Sequence, residues 1–319
     1  MSKILVTGGA GFIGSNLTAA LLKDNNVEKV LVLDNLATGF RKNIEPFMDD
    51  PKFEFWEGDI RDVETCRNAV KGMDAISHQA ALGSVPRSIK DPITSNAVNV
   101  NGTLNMMVAA TENNVKRFVF AASSSTYGDS EGLPKVEHII GNPLSPYAVT
   151  KLVNELYASV FNKAYGLEYI GLRYFNVFGP KQDPHGAYAA VIPLFFKAAL
   201  DGNAPVINGD GNNSRDFTYV DNAVEANLLA LFTTNNNAVN QVYNVACGER
   251  TTLNELWSAI NQITGVGLEA IHGPGRDGDI AHSLADISKA KTLLGYTASI
   301  KITDGLERAF NWYKNQNKI

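Results

Sequence analysis

The sequence predicts an α/β protein, a parallel sheet covered by helices on both faces with a smaller α/β domain attached, on three observations. Short apolar strand patterns alternate with helical ones from the first residues to about residue 172, and a helix at about 221–232 and a strand at 242–246 return to the sheet. The first strand runs into a glycine-rich turn and a helix, and the second strand ends on an acid. After Asn176-Val177-Phe178-Gly179-Pro180 the rhythm breaks into Gly- and Pro-rich chain. Strands joined by crossover helices cannot lie antiparallel in short hairpins, so the alternation means a doubly covered parallel sheet of Rossmann type.

In chain order, residues 3–7 read as a buried strand, Gly8 to Gly14 as a turn, and Ser15 to about Asn25 as a helix. Lys29-Val30-Leu31-Val32-Leu33 is a second strand ending at Asp34. Further strands read at Phe53–Phe55, Ala75–Ser77, Phe118–Phe120, Tyr169–Leu172 and 242–246, with helices at about 62–70, 99–114, 147–164 and 221–232. A helix over about 190–200 and an amphipathic one from about Thr303 to Lys314 lie outside that alternation. The expected division is a dinucleotide-binding domain of residues 1–175 and 216–247, and a smaller domain of 176–215 and 248–319.

The composition narrows the function. With 319 residues the chain buries roughly three quarters of its extended surface and folds without disulfides or metal. Its 33 acidic and 28 basic side chains give a charge of −5, and no Lys/Arg block supplies the phosphate contacts of a nucleic-acid partner. Cys66 and Cys247 form neither a metal motif nor a disulfide framework, and read as buried thiols in a reducing compartment. The five histidines form no ligand run, so no metal is expected. Neither a signal peptide nor an apolar run of membrane-spanning length is readable, and a cytoplasmic enzyme is expected.

Gly8, Gly11 and Gly14 stand between a strand and a helix, with Asp34 20 residues after the last of them. Glycines there allow a tight turn, close approach to a pyrophosphate and close helix packing, while the helix N-terminus faces the phosphates. A carboxylate at Asp34 accepts from both ribose hydroxyls and repels a 2′-phosphate, which favours NAD over NADP. Asp59 follows another strand, within reach of the adenine amino group, and Ala80-Ala81 ends a further one with small residues. The candidate cofactor-binding residues are Gly8, Gly11, Phe12, Ile13, Gly14, Asp34, Asn35, Gly39, Asp59, Ile60, Ala80, Ala81, Asn99, Tyr147, Lys151, Tyr174 and Val177.

Tyr147 and Lys151 stand four apart on a helix and so share a face, where the ammonium can lower the phenol pKa and let Tyr147 act as a base. Ser123-Ser124-Ser125 follow the apolar strand at Phe118, at the carboxyl edge where parallel sheets bind ligands. The candidate catalytic residues are Ser123, Ser124, Tyr147 and Lys151.

These motifs resemble the extended short-chain dehydrogenase/reductase family, and specifically its nucleotide-sugar epimerases, over nearly the whole chain. The resemblance implies a Ser-Tyr-Lys set with the family serine at Ser123, and a nucleotide sugar closed in by the smaller domain. It implies a homodimer packed through the helices at about 99–114 and 147–164. It also implies reversible inversion at sugar C4: Tyr147 takes the hydroxyl proton, hydride passes to NAD, and the 4-keto sugar turns and is reduced on its other face. The related 4,6-dehydratases carry an Asp-Glu pair where this chain has Ser124-Ser125.

By the same resemblance the substrate residues are Gly83, Ser84, Ser123, Ser125, Tyr147, Asn176, Ala190, Val191, Asn208, Arg215, Arg276, Asp279 and Ser283. Arg215 and Arg276 would neutralise the diphosphate. Tyr188 and the residues after it look like a uridine-facing segment. Ser283 falls where relatives restricted to unmodified hexoses carry tyrosine, and a small side chain there admits an N-acetyl group without rejecting the smaller sugar. Gln79 to Ser88, Leu144 to Lys151 and His282 to Ile287 resemble the UDP-N-acetylglucosamine 4-epimerase subgroup of bacterial polysaccharide pathways. A UDP-glucuronate 4-epimerase or another nucleotide-sugar epimerase or reductase stays open as the alternative, while the intact Ser123, Tyr147 and Lys151 set argues against a noncatalytic NAD-binding scaffold.

Overall fold

The structure, a computed structural model, describes residues 2–186, 189–275 and 281–316. The first half of the chain forms β1 (Ser2–Thr7), α1 (Phe12–Lys23), β2 (Val27–Asp34), β3 (Phe53–Glu57), α2 (Val63–Val70) and β4 (Ala75–His78). It continues through α3 (Val85–Lys90), α4 (Pro92–Asn96), α5 (Thr103–Glu112), β5 (Arg117–Ser123), α6 (Pro146–Tyr165) and β6 (Tyr169–Tyr174). Then follow β7 (Val177–Phe178), α7 (Val191–Leu200), β8 (Val206–Asn208), β9 (Ser214–Arg215), β10 (Thr218–Tyr219), α8 (Val220–Phe232) and β11 (Gln241–Val245). The chain ends with β12 (Thr251–Thr252), α9 (Leu253–Thr264), β13 (Ile271–Gly273), α10 (Ser288–Leu294) and α11 (Ile302–Gln316).

Seven strands pair in the order β11-β6-β5-β4-β1-β2-β3, every pair parallel. Side chains alternate across each strand, so the continuous apolar runs supply both faces. Ile4, Val6, Val30, Val32 and Val119 pack with Leu17, Leu21 and Ala226 from α1 and α8. Leu5, Leu31, Phe118 and Phe120 point the other way, onto Cys66, Met106 and Ala158 from α2, α5 and α6. A third core joins Phe178, Phe195, Phe196, Trp257, Ile260, Leu306 and Tyr313 in the smaller lobe.

Two regions differ from the sequence-based expectation. The helix expected over 99–114 forms as α5 with a π-turn at Ala97–Gly102 ahead of it, running on from α4, and α3 and α4 are two further short helices that the sequence reading did not give. Pro86 and Pro92 stand in the first turns of α3 and α4, where no intrahelical N–H is needed, and Ser84 and Asp91 cap them. Residues 285–298, grouped with the smaller domain in the sequence, contribute Ala285, Ile287, Ala290, Leu294, Tyr296 and Ala298 to the core of the sheet. Ile287, Ala290 and Leu294, three and four residues apart, face inward along α10, and the segment fills the space beside β11 and α8 that a strand at the sheet edge leaves open. Among the described residues no helix is long and apolar enough to cross a membrane.

The lobes meet at Asp216, which is fully buried. Its carboxylate accepts from the N–H groups of Cys247 at 2.9 Å, Gly248 at 3.1 Å and Ala285 at 3.2 Å, and its own carbonyl accepts from Asn176 Nδ2 at 3.0 Å. Burial pushes the Asp216 carboxyl up to about 7 against those three N–H bonds.

Candidate active site

A cavity of about 670 Å³ opens along the carboxyl edge of the sheet, where β1, β2, β4 and β5 end. Its floor is the turn between β1 and α1. Gly8 has φ +70, and a Cβ there would lie 2.6 Å from the Ala80 nitrogen. A Cβ on Gly14 would overlap the Gly8 carbonyl oxygen. Glycine is therefore required both for the turn and for the approach of α1 to it. The helix starts at Phe12, three residues before the expected Ser15, with Gly11 as an N-cap that offers no side-chain bond. The first N–H groups of α1 belong to Phe12, Ile13 and Gly14 on the cavity wall, and have no partner within the helix.

Asp34 closes one end. Its oxygens accept from Ala10 N–H at 2.9 Å and Leu36 N–H at 2.8 Å, which leaves a lone pair on each for a pair of hydroxyls. Burial raises its carboxyl, and the two backbone bonds oppose that rise. Nearby, Asp59 is held by Arg61 at 2.6 Å and by Asn35 Nδ2 at 2.8 Å, and these bonds lower its carboxyl to about 2. A glycine turn at a helix N-terminus with a hydroxyl-accepting carboxylate 20 residues on fits a dinucleotide.

The other end holds the reactive side chains. Ser123 is the last residue of β5, and Tyr147 and Lys151 lie on α6, which Ser145 caps by accepting from Ala148 N–H at 3.2 Å. Lys151 is 4% exposed; its ammonium donates to the Ala121 carbonyl at 2.8 Å and stands 5.8 Å from the Tyr147 ring centre. Burial pushes Lys151 down to about 8, with the charge of Glu155 opposing. Burial raises the Tyr147 phenol, and a hydrogen bond with Ser123 opposes it. Desolvation therefore outweighs the lowering expected of the ammonium, and Ser123 is the group that works against it. Ser123 Oγ accepts from the N–H of Ser125 at 3.1 Å and from its hydroxyl at 2.9 Å.

A second cavity of about 650 Å³ lies in the smaller lobe, walled by Ala190, Val191, Asn208 and Arg215 with Phe178, Phe195 and Phe217. Asn176 and Val177 line both cavities, so the two adjoin there. Asn176 takes φ +38, a left-handed conformation that asparagine tolerates better than most side chains.

The first wall contains Gly8, Gly11, Phe12, Ile13, Gly14, Asp34, Asn35, Asp59, Ile60, Ala80, Ala81, Gly83, Ser84, Ser123, Ser124, Ser125, Tyr147, Lys151 and Tyr174. Three candidates lie off both walls. Gly39 packs against Ala10, where a Cβ would come within 2.8 Å of its carbonyl carbon, so it shapes the turn from behind. Asn99 is fully buried and holds the backbone of Leu82 from outside. Ser283 is tied by its N–H to the Ser214 carbonyl at 3.0 Å, beside Arg215. Arg276 and Asp279, with Tyr188, fall outside the described residues.

The sequence reading missed Thr38, Arg61, Thr94, Val98 and Gln79 on the first wall. Gln79 had a signal, as the polar residue directly before Ala80-Ala81. It accepts from the Tyr174 hydroxyl at 3.1 Å and donates to Asn227 at 2.9 Å, fixing Tyr174 at the wall.

The profile of the NAD dependent epimerase/dehydratase family matches residues 4–246. A putative UDP-glucose 4-epimerase of Methanocaldococcus jannaschii is 40% identical over 317 residues, 99% of each chain. Two solved structures superpose over 99% of both chains: UDP-glucose 4-epimerase from Thermotoga maritima with UDP-glucose, at 35% identity and a TM-score of 0.92, and UDP-N-acetylglucosamine 4-epimerase from Methanobrevibacter ruminantium in complex with UDP-N-acetylmuramic acid, at 39% and 0.90.

Proposed function

The chain belongs to the NAD dependent epimerase/dehydratase family, and on that premise we propose that it is a UDP-sugar 4-epimerase interconverting UDP-N-acetylglucosamine and UDP-N-acetylgalactosamine. UDP-glucose and UDP-galactose form its second substrate pair. The observation that carries the reading is the adjacency of the two cavities at Asn176 and Val177, with Ser123, Tyr147 and Lys151 on the wall of the first. A nucleotide sugar held by the second cavity then presents its hexose to the phenol of Tyr147.

Gly8, Gly11, Gly14 and Asp34 hold NAD, which supplies a reversible hydride acceptor when bound. Tyr147 takes the proton of the C4 hydroxyl and returns it after inversion. Ser123 donates to the phenolate, and the Lys151 ammonium 5.8 Å from the ring centre favours that charge. Arg215, on the wall of the second cavity, meets the diphosphate. Ser124 and Ser125 supply no acid for loss of a C6 hydroxyl, which favours inversion over dehydration. Ser283 stands off both walls beside Arg215, where the longer side chain of a tyrosine would reach toward the acetamido group and a serine does not.

The exposed apolar side chains Val149, Leu156 and Val160 recur along one face of α6, and Ile89 and Ile93 are exposed on α3 and α4. We assign this face to a homodimer interface. Leu156→Glu should then convert a dimer to a monomer in sedimentation equilibrium, and an unchanged mass would exclude the face.

The activity is tested by incubating the purified chain with UDP-N-acetylglucosamine and, separately, UDP-glucose, without added cofactor, and reading C4 inversion by proton NMR. Faster conversion of the acetylated sugar supports the reading. Conversion of hexose alone refutes the substrate assignment, and no conversion of either after NAD is supplied refutes both pairs.

A further inference from the structure

His78 ends β4 and is 3% exposed, and the chemistry above does not use it. Each ring nitrogen meets a threonine: Nδ1 lies 2.8 Å from Thr7 Oγ1, and Nε2 lies 2.9 Å from Thr103 Oγ1. The neighbours determine which nitrogen carries the proton. Thr103 has one hydroxyl proton and gives it to the Asn99 carbonyl at 2.7 Å, a group that only accepts. Toward His78 it must therefore accept, as it does from Asn154 Nδ2 at 3.2 Å. The ring proton is on Nε2. Nδ1 then accepts from Thr7, whose oxygen in turn accepts the Ala80 N–H at 3.3 Å. A second ring proton would turn the Thr7 hydroxyl away from its acceptor. Burial, with the Lys151 charge, keeps the ring neutral by pushing it down to about 3.

Both ends of this chain hold the cavity wall. Thr7 directly precedes Gly8, and its bond to Ala80 keeps the glycine turn against the Ala80–Leu82 segment. At the other end Asn99 grips Leu82 in both directions, accepting its N–H at 2.8 Å and donating to its carbonyl at 3.3 Å. Asn99 Nδ2 also donates to Thr150 at 3.1 Å, and the Thr150 hydroxyl donates to the Tyr147 carbonyl at 2.7 Å.

We infer that His78 is a positioning residue for the cofactor site: as a neutral imidazole protonated on Nε2, it spans Thr7 and Thr103 and sets the spacing between the Gly8 turn and the helix that carries Tyr147. This rests on reading the cavity as the NAD site. It adds a strut that neither touches the cofactor nor enters the chemistry.

The test has two arms on the full chain. In the first, ring nitrogens are followed by NMR in protein labelled with 15N-histidine. The other four histidines are exposed, so His78 is expected as a single ring with Nε2–H and bare Nδ1 that does not titrate between pH 5 and 9. A titrating ring, or the proton on Nδ1, overturns the inference without any variant. In the second, NAD binding is measured by calorimetry, on protein first stripped of bound nucleotide, for the unaltered chain, Thr103→Val and Thr103→Ser. The valine leaves the buried Nε2–H without an acceptor and should weaken binding about tenfold, while serine restores it to within about twofold. A folded Thr103→Val chain that binds NAD as tightly as the unaltered one overturns the inference. Failure of the unaltered chain to bind NAD overturns it by removing the cavity reading, and is distinguished because the NMR arm still reports the Nε2–H ring.

Discussion

Glu155→Gln should cost the fold several kcal/mol and move the alkaline limit of activity to lower pH. Arg173 donates to the two Glu155 oxygens at 2.9 and 2.7 Å, and the side chains are 4% and 8% exposed. The guanidinium also donates to the Glu137 carbonyl at 3.1 Å and lies 4.8 Å from the Tyr127 ring centre. Glutamine keeps one acceptor and turns an NH2 toward the guanidinium, leaving a buried cation uncompensated. Removing one partner of such a pair costs about 3–5 kcal/mol. Set against a total stability on the order of 5–15 kcal/mol, that is a large fraction, and the melting temperature should fall by roughly 4–7 °C. The second effect follows from Glu155 standing one helical turn beyond Lys151, where its charge opposes the burial that pushes Lys151 down to about 8. Without it the ammonium is lost at still lower pH. Urea unfolding followed by tryptophan fluorescence measures the first effect, and the pH profile of turnover the second. A loss under about 1 kcal/mol with an unmoved alkaline limb would refute the reasoning.

Other substitutions probe the site directly. Tyr147→Phe should lower turnover by about 10²- to 10⁴-fold while UDP-sugar affinity, read by calorimetry, holds; near-normal turnover would remove Tyr147 as the base. The unaltered enzyme should lose activity as the pH rises through about 8, because Lys151 is charged below that value and neutral above it; a profile flat to high pH would contradict this. Gly14→Ala should weaken NAD binding and cost about 1–3 kcal/mol, since its Cβ overlaps the Gly8 carbonyl oxygen, and an unchanged urea midpoint would mean that the turn yields freely. Ser283→Tyr should lower kcat/KM for UDP-N-acetylglucosamine about tenfold relative to UDP-glucose, and an unchanged ratio would exclude Ser283 as the gate.

The sheet was legible because each strand is a local apolar run and each crossover a local helical period, and both are written in neighbouring residues. The glycine turn was legible for the same reason: Gly8, Gly11, Gly14 and Asp34 act at fixed offsets. What escaped depends on contacts between distant segments. Asn99 reads as a cofactor contact, and only the π-turn at Ala97–Gly102 shows it standing behind Leu82 instead. Nothing local separates residues 285–298 from the smaller lobe, since their destination is set by the open flank of α8 and β11. Gly39 and Ser283 carry patterns suggestive of a wall, but Ala10 and Ser214 hold them just outside it. The balance of forces on Tyr147 was likewise hidden, because spacing reveals the neighbouring ammonium but not the desolvation that opposes it.

Four passages of the chain between sheet and lobe, at residues 176, 216, 247–248 and 285, are knotted together by the one carboxylate and carbonyl of Asp216. A hinge needs crossings that can bend independently, and swinging the lobes apart here would break several hydrogen bonds at once, each worth about 1 kcal/mol or more when buried. Any change in the distance between the two cavities has to undo this cluster first. Under the proposed reaction, a sugar that presents first one face and then the other to Tyr147 turns more cheaply about its own bonds than by parting the lobes at this cluster.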